Sequence, residues 1–211
     1  MADLVRVPRT HFIDRWFETF YERALGVIPD VASNILKICR ERNLSPSLEE
    51  LEEAVSLRFS YGRKATVPRE GAISTLRTLK DDGYRLGLIS DCSSELPALW
   101  GNTEYPDFFD VTIFSCEVGL KKPDPKIYEL ACDELNIAPR ECIYVGDGGS
   151  KELTGAAAVG MYPILLSDES EKLGSDVHRV DGESWTGPSI RDLSEIPMVI
   201  ERLRTGPPGS A

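Results

Sequence analysis

Residues 144–161 read YVGDGGSKELTGAAAVGM, and the order of residue types in that stretch decides the fold. The apolar run Ile143 to Val145 predicts a short buried strand. Gly146-Asp147-Gly148-Gly149 breaks it with a turn, where Asp147 suits turn geometry. A helical stretch follows at 150–159, and Tyr162 to Leu166 is a second apolar run. A strand, a crossover helix and a second strand predict parallel pairing.

The same alternation extends toward the N-terminus. Arg85 to Ile89 and Val111 to Phe114 are apolar runs of strand length. Helical patterns lie before the first of them, at 69–82 with Ile73, Leu76 and Leu79, and after the second, at 124–136. The latter opens on Pro-Asp-Pro, with Asp124 as N-cap and Pro125 at the first helical position. The expected class is α/β, a parallel sheet with helices on both faces, over residues 67–204. Residues 205–211, TGPPGSA, predict a flexible tail.

Residues 8–66 obey a different pattern, with helical spacings and no strand, and predict a small helical domain. Phe12, Trp16, Phe17, Phe20 and Leu25 recur every three or four residues, with Gly26 as a stop. Phe12, Trp16, Phe17, Phe20 and Tyr21 are read as its core. Ile28 to Arg42 repeats the pattern, and Ser47 with Glu50 forms a capping box before a third helix.

Composition narrows the function. The 211 residues carry 24 basic and 35 acidic side chains, a net charge of −11. An acidic surface repels phosphate backbones, which disfavours nucleic acid. No apolar run approaches a membrane span, and MADLVRVPRT has no secretory h-region. Cys39, Cys92, Cys116, Cys132 and Cys142 are odd in number and unmatched to any CxxC, so free thiols in a reducing cytoplasm are expected. Two isolated histidines, His11 and His178, make a zinc site improbable.

Ligands of open α/β sheets bind beyond the carboxyl ends of the strands. Ser90-Asp91-Cys92-Ser93 follows the first strand. Ser115, Glu117 and Gly119-Leu-Lys-Lys-Pro-Asp-Pro125 follow the second, and Gly146 to Glu152 the third. A hydroxyl, a lysine and an acidic pair suit a phosphomonoester: the hydroxyl holds an oxygen, the lysine neutralises charge, and two carboxylates hold Mg²⁺. Asp147 at the strand end and Glu152 in the next helical turn could face one cation, and oxygen donors favour Mg²⁺. Each residue also has a structural reading. Ser90 is a possible N-cap, Asp91 a support for its loop, and Lys122 a solvated side chain, as Lys121 is expected to be. Cys92 has no basic neighbour to activate it.

Three stretches in this order resemble motifs of the haloacid dehalogenase superfamily. LGLISDCSS (86–94) resembles its second motif, GLKKPDPKIYELA (119–131) its third, and YVGDGGSKELTGAAAVGM its fourth. The resemblance implies a phosphate-binding and catalytic Ser90, a catalytic and phosphate-binding Lys122, Asp91 at the substrate, and Asp147 and Glu152 as Mg²⁺ ligands. It implies that residues 8–66 are a C1-type cap on a Rossmann-like core. The acidic pair favours phosphatase over dehalogenase, since the latter uses no metal. The implied reaction has two steps, attack by an aspartate on phosphorus and hydrolysis of the aspartyl-phosphate.

The family's first motif, Asp-x-Asp at the end of a buried strand, has no counterpart here. Only MADLVRV precedes the first helix, Asp3 has Val5 at the acid/base position, and Met1-Ala2 cannot form a strand. The expectation is a start assigned downstream of the natural one, or a truncated chain, and a site that binds without turnover. The function expected of the family is thus a Mg²⁺-dependent phosphatase of small phosphorylated metabolites, the alternative a non-catalytic binding protein.

Overall fold

A computed structural model describes residues 1–167 and 184–205. In chain order its elements begin α1 (Arg9–Glu18), α2 (Phe20–Ala24), α3 (Val31–Arg40), α4 (Leu48–Ala65) and α5 (Ala72–Asp81). Then come β1 (Gly87–Ser90), α6 (Glu95–Trp100), β2 (Val111–Phe114), α7 (Ser115–Val118) and α8 (Pro125–Leu135). The described chain closes with β3 (Ile143–Gly146), α9 (Glu152–Ala158), β4 (Tyr162–Leu166), β5 (Ser189–Ile190) and α10 (Ile196–Thr205). Among the described residues β1 pairs with β2, and β3, β4 and β5 form a second sheet. His178 and the tail from residue 206 lie outside the described residues, and Thr205 ends α10. No described helix is long and apolar enough to cross a membrane.

The chain divides into two compact units. One comprises Met1–Val67, Ile89–Pro106 and Ile113–Lys121. The other comprises Pro68–Leu88, Asp107–Thr112 and the chain from Lys122 onward.

The first unit is built on α1 to α4. The 3.6-residue periodicity gives these helices one apolar face, and Val7, Phe12, Val31, Ile35, Ile38 and Ala54 join in its core. Residues 1–7 contribute too, as turns that bury Val5 and Val7. The predicted single helix to Gly26 is broken at Thr19, whose buried hydroxyl donates to the Arg15 and Trp16 carbonyls at 2.8 and 3.2 Å. Gly26 is indeed a stop, at φ 70, and a Cβ there would sit 2.3 Å from the Cys116 carbonyl oxygen. The capping box of α4 is present, with Glu50 N donating to Ser47 Oγ at 3.2 Å and Ser47 N to the Glu50 carboxylate at 2.7 Å. Phe12 is core and stacks on Trp16 at 5.7 Å, but Phe17 and Tyr21 are 63% and 61% exposed. They sit on the solvent side of α1 and α2 because the helical phase that buries Phe12 turns positions 17 and 21 away.

In the second unit β3, β4 and β5 run parallel, with Val145 opposite Ile164 and Leu166 opposite Ile190. Strand alternation sorts the two faces. Ile143, Val145, Ile164 and Leu166 pack with Leu79 of α5 and Ile196 of α10. Tyr144 and Gly146 point the other way, toward Tyr128 of α8 and Glu152 of α9. This sheet therefore carries helices on both faces. Asp124 caps α8 and Pro125 opens it, while Trp185 Nε1 donates to the Pro188 carbonyl just before β5.

Candidate functional site

The carboxyl end of β3 runs into the turn Asp147–Lys151. Gly148, Ser150 and Lys151 all take positive φ there, at 81°, 53° and 55°. The tight turn delivers Glu152 to the start of α9, where it is 3% exposed. One oxygen of its carboxylate accepts from Gly148 N at 3.1 Å. The other accepts from Tyr144 Oη at 2.8 Å and from Lys122 Nζ at 2.5 Å. The Glu152 carbonyl accepts from Tyr128 Oη at 3.0 Å. The carboxylate folds so closely beneath β3 that a Cβ at Gly146 would meet it at 2.2 Å, so glycine is needed at the strand end. Asp147 stays exposed, one oxygen accepting from Gly149 N at 2.9 Å.

Of the five predicted site residues, Lys122, Asp147 and Glu152 belong to this unit, and Lys122 and Glu152 are in direct contact. Hard carboxylate oxygens on one strand–helix connection suit a cation such as Mg²⁺, and Asp147 and Glu152 could hold it. Among the described residues no three His, Cys, Asp or Glu side chains cluster to cage a metal. A cation at Glu152 would compete with the Lys122 ammonium for the same oxygen.

Ser90, the last residue of β1, and Asp91, the first of the loop after it, belong to the other unit. Two contacts pin that loop. Ser115 Oγ, fully buried, accepts from Cys92 N at 2.9 Å and donates to the Cys92 carbonyl at 3.2 Å. The Asp91 carboxylate pairs with Lys121 Nζ at 3.6 Å. Lys121 is not the solvated lysine that the sequence suggested: it pairs with Asp91 and lies 5.6 Å from the Tyr21 ring centre. Burial pushes the Cys92 thiol up, and its sulfur lies 4.0 Å from that of Cys116, so Cys92 is an inert packing thiol. Glu117 is exposed.

The same loop carries a cluster that the sequence reading missed. Arg23 of α2 is 4% exposed, donating from Nη1 to Ser93 Oγ at 3.0 Å and from Nη2 to the Trp16 carbonyl at 2.7 Å. Arg58 of α4 donates from Nε to the buried Glu95 carboxylate at 2.7 Å. Both guanidiniums lie over Trp16, at 4.5 and 5.4 Å from the ring centroid. Burial pulls Arg23 down to about 10, which leaves it charged at neutral pH. One signal was available: Arg23 shares the helical stripe of Phe12, Trp16 and Phe20, and a charge on an apolar face asks for a partner. Tyr144 could be found similarly, from the strand phase that sets it on the face of Gly146.

The model of one family, described as haloacid dehalogenase-like hydrolase, matches residues 10–160. The chain is 33% identical over 198 residues to a glyceraldehyde 3-phosphate phosphatase of Pyrococcus furiosus, covering 88% of this chain and 78% of that one. It is 32% identical over 124 residues to the rhythmically expressed gene 2 protein of Drosophila melanogaster, covering 53% of this chain. The chain spans about half, 48%, of that relative's length. The crystal structure of a 2-haloacid dehalogenase from Pseudomonas syringae pv. tomato superposes with a TM-score of 0.68 at 20% identity, covering 95% of this chain and 84% of that one. It shares the fold.

Proposed function

The chain belongs to the haloacid dehalogenase-like hydrolases, and from that premise we propose that it acts on small phosphomonoesters with Mg²⁺. The observation that carries the reading is the Lys122–Glu152 ion pair at the end of β3, with exposed Asp147 on the same turn. A half-buried ammonium fixed by a carboxylate, which a tyrosine hydroxyl and a backbone amide hold in place, is a preorganised cation, the kind of group that stabilises phosphoryl oxygens. In this reading Lys122 neutralises a phosphoryl oxygen, Ser90 donates its hydroxyl to another, and Asp91 orders the Ser90 loop through Lys121. Asp147 and Glu152 would hold Mg²⁺, and the ion would supply charge neutralisation of the phosphoryl group. Residues 8–66 correspond to the family's C1-type cap. The phosphatase name of the Pyrococcus relative supports a phosphate ester over a haloacid.

A second reading, binding without turnover, draws on Asp3. Its carboxylate is engaged by Arg9 through both oxygens, from a turn and not from a strand end. Hydrolysis of p-nitrophenyl phosphate by the 211-residue chain, with Mg²⁺ and with chelator, separates the two. Chelator-sensitive turnover that falls about 100-fold or more in Lys122→Ala supports the phosphatase. Calorimetric binding of ethyl phosphate without turnover, lost in Lys122→Ala, supports the binding protein. Neither turnover nor binding would overturn both.

A further inference from the structure

Arg23 has chemistry that neither reading above uses. Its Nη1 and Nη2 are taken by neutral acceptors, the Ser93 hydroxyl and the Trp16 carbonyl. Its Nε is buried and meets no acceptor. Among the described residues no carboxylate hydrogen-bonds this guanidinium; the Glu95 carboxylate is bonded by Arg58. Two guanidiniums thus share one carboxylate; Arg58 is partly open to water, whereas Arg23 is buried. Burying a charge without a counter-charge is strongly unfavourable. The Trp16 and Phe20 rings, at 4.5 and 5.5 Å, offset part of that cost but cannot accept the directional Nε–H bond. The group that would satisfy both needs is an oxyanion, which accepts charge-assisted hydrogen bonds from a guanidinium.

We propose that Arg23 recognises an oxyanion of the bound ligand. Its placement says which ligand. Ser93, which anchors Nη1, lies in the loop that begins at Ser90, the hydroxyl assigned above to the phosphomonoester. The inference rests on that assignment and adds a residue to it from α2. Two sources share the chemistry: the phosphoryl group itself, or a carboxylate elsewhere on the same small molecule.

The test is calorimetric titration of the full chain with propyl phosphate and with 3-(phosphooxy)propanoate, which exchange a methyl group for a carboxylate. Arg23→Gln is expected to weaken binding about tenfold to a hundredfold, the range of one hydrogen bond to a charged group. Equal loss for both probes identifies the phosphoryl group. Loss confined to the carboxylated probe identifies the second anion. Both outcomes support the role of Arg23. Unchanged affinity for both probes in Arg23→Gln, while Lys122→Ala still abolishes binding, would overturn it and leave the phosphomonoester reading intact. Failure of the unaltered chain to bind either probe would overturn the two together. Should circular dichroism show Arg23→Gln unfolded, Arg23→Lys decides, because it keeps the charge and loses the planar fork. Full affinity in Arg23→Lys would then reject directional recognition, and a loss of tenfold or more would support it.

Discussion

Glu152 and Glu95 are both buried carboxylates held by cationic side chains, yet their surroundings are balanced differently. Glu152 takes one lysine, one tyrosine hydroxyl and one backbone amide, so its cluster is neutral and both carboxylate oxygens accept. Two of those donors lie four and eight residues away in sequence, within a single strand–turn–helix unit. Glu95 is bonded by Arg58 from 37 residues away, and Ser93 links it to a second arginine. That cluster holds two cations against one anion. A neutral, locally built cluster suits a fixed positive point that must not move. A cluster with a charge surplus is poised to take an anion from outside.

The contrast is broken most forcefully at Glu152. Glu152→Ala removes the buried carboxylate that accepts from the Lys122 ammonium and the Gly148 amide. Removing one partner of a buried pair typically destabilises by about 3–5 kcal/mol, and that is the expected loss in urea unfolding. A loss below about 1 kcal/mol would mean that Lys122 is solvated and the cluster is no scaffold.

Glu95→Gln is the matching change in the other cluster, with an expected loss of about 2 kcal/mol, the scale of a hydrogen bond to a charged group. It carries a pH signature as well. Burial raises the Glu95 carboxyl, but bonds from Ser93 and Arg58 outweigh it and hold the group below its ordinary 4.5. The unfolded chain therefore takes up the proton first as pH falls. The stabilisation is complete above 4.5 and is lost as pH drops through the lower folded value. Unfolding free energy followed from pH 7 downward should fall less steeply in Glu95→Gln. The residual slope comes from the other carboxyls held down in the fold, among them Asp110 by Lys80, Glu41 by Arg15, Asp3 by Arg9 and Glu50 by the Ser47 amide. Identical slopes in variant and parent would show that Glu95 is not ionised in that cluster.

The comparison also explains what could be read from residues alone. The β3–turn–α9 unit was legible because each of its parts is local: an apolar run, a glycine-rich turn, an acid at the helix start. The Ser47–Glu50 box and the Asp124–Pro125 start were legible for the same reason. The Arg23–Ser93 bond joins residues 70 apart, and no periodicity encodes such a distance. Lys121 and Asp91 likewise meet only because the loops after β1 and β2 are brought together. The short helices α6 and α7 and the two-residue β5 fall below the length at which a pattern can repeat. Phe17 and Tyr21 satisfied the spacing rule for a core, but spacing does not tell a broad apolar stripe from a narrow one.

The smallest expected effect is the sharpest discriminator. Tyr144→Phe and Ser93→Ala each delete one hydroxyl beside a buried glutamate. Without the Tyr144 hydroxyl, the same Glu152 oxygen still accepts from Lys122 and the other still accepts from Gly148 N. No group is orphaned, so the loss is about 0.5 kcal/mol, the low end for one neutral hydrogen bond. Without the Ser93 hydroxyl, Arg23 Nη1 joins Nε as a buried donor lacking an acceptor. Glu95 loses a donor at the same time. That loss is expected at about 1.5 kcal/mol, because an unsatisfied charged donor keeps its full desolvation cost. Equal losses would mean that the two clusters are alike in satisfaction and that Arg23 is no less at ease than Lys122. A reversed order would place the surplus charge at β3 and remove the basis for assigning an oxyanion to α2.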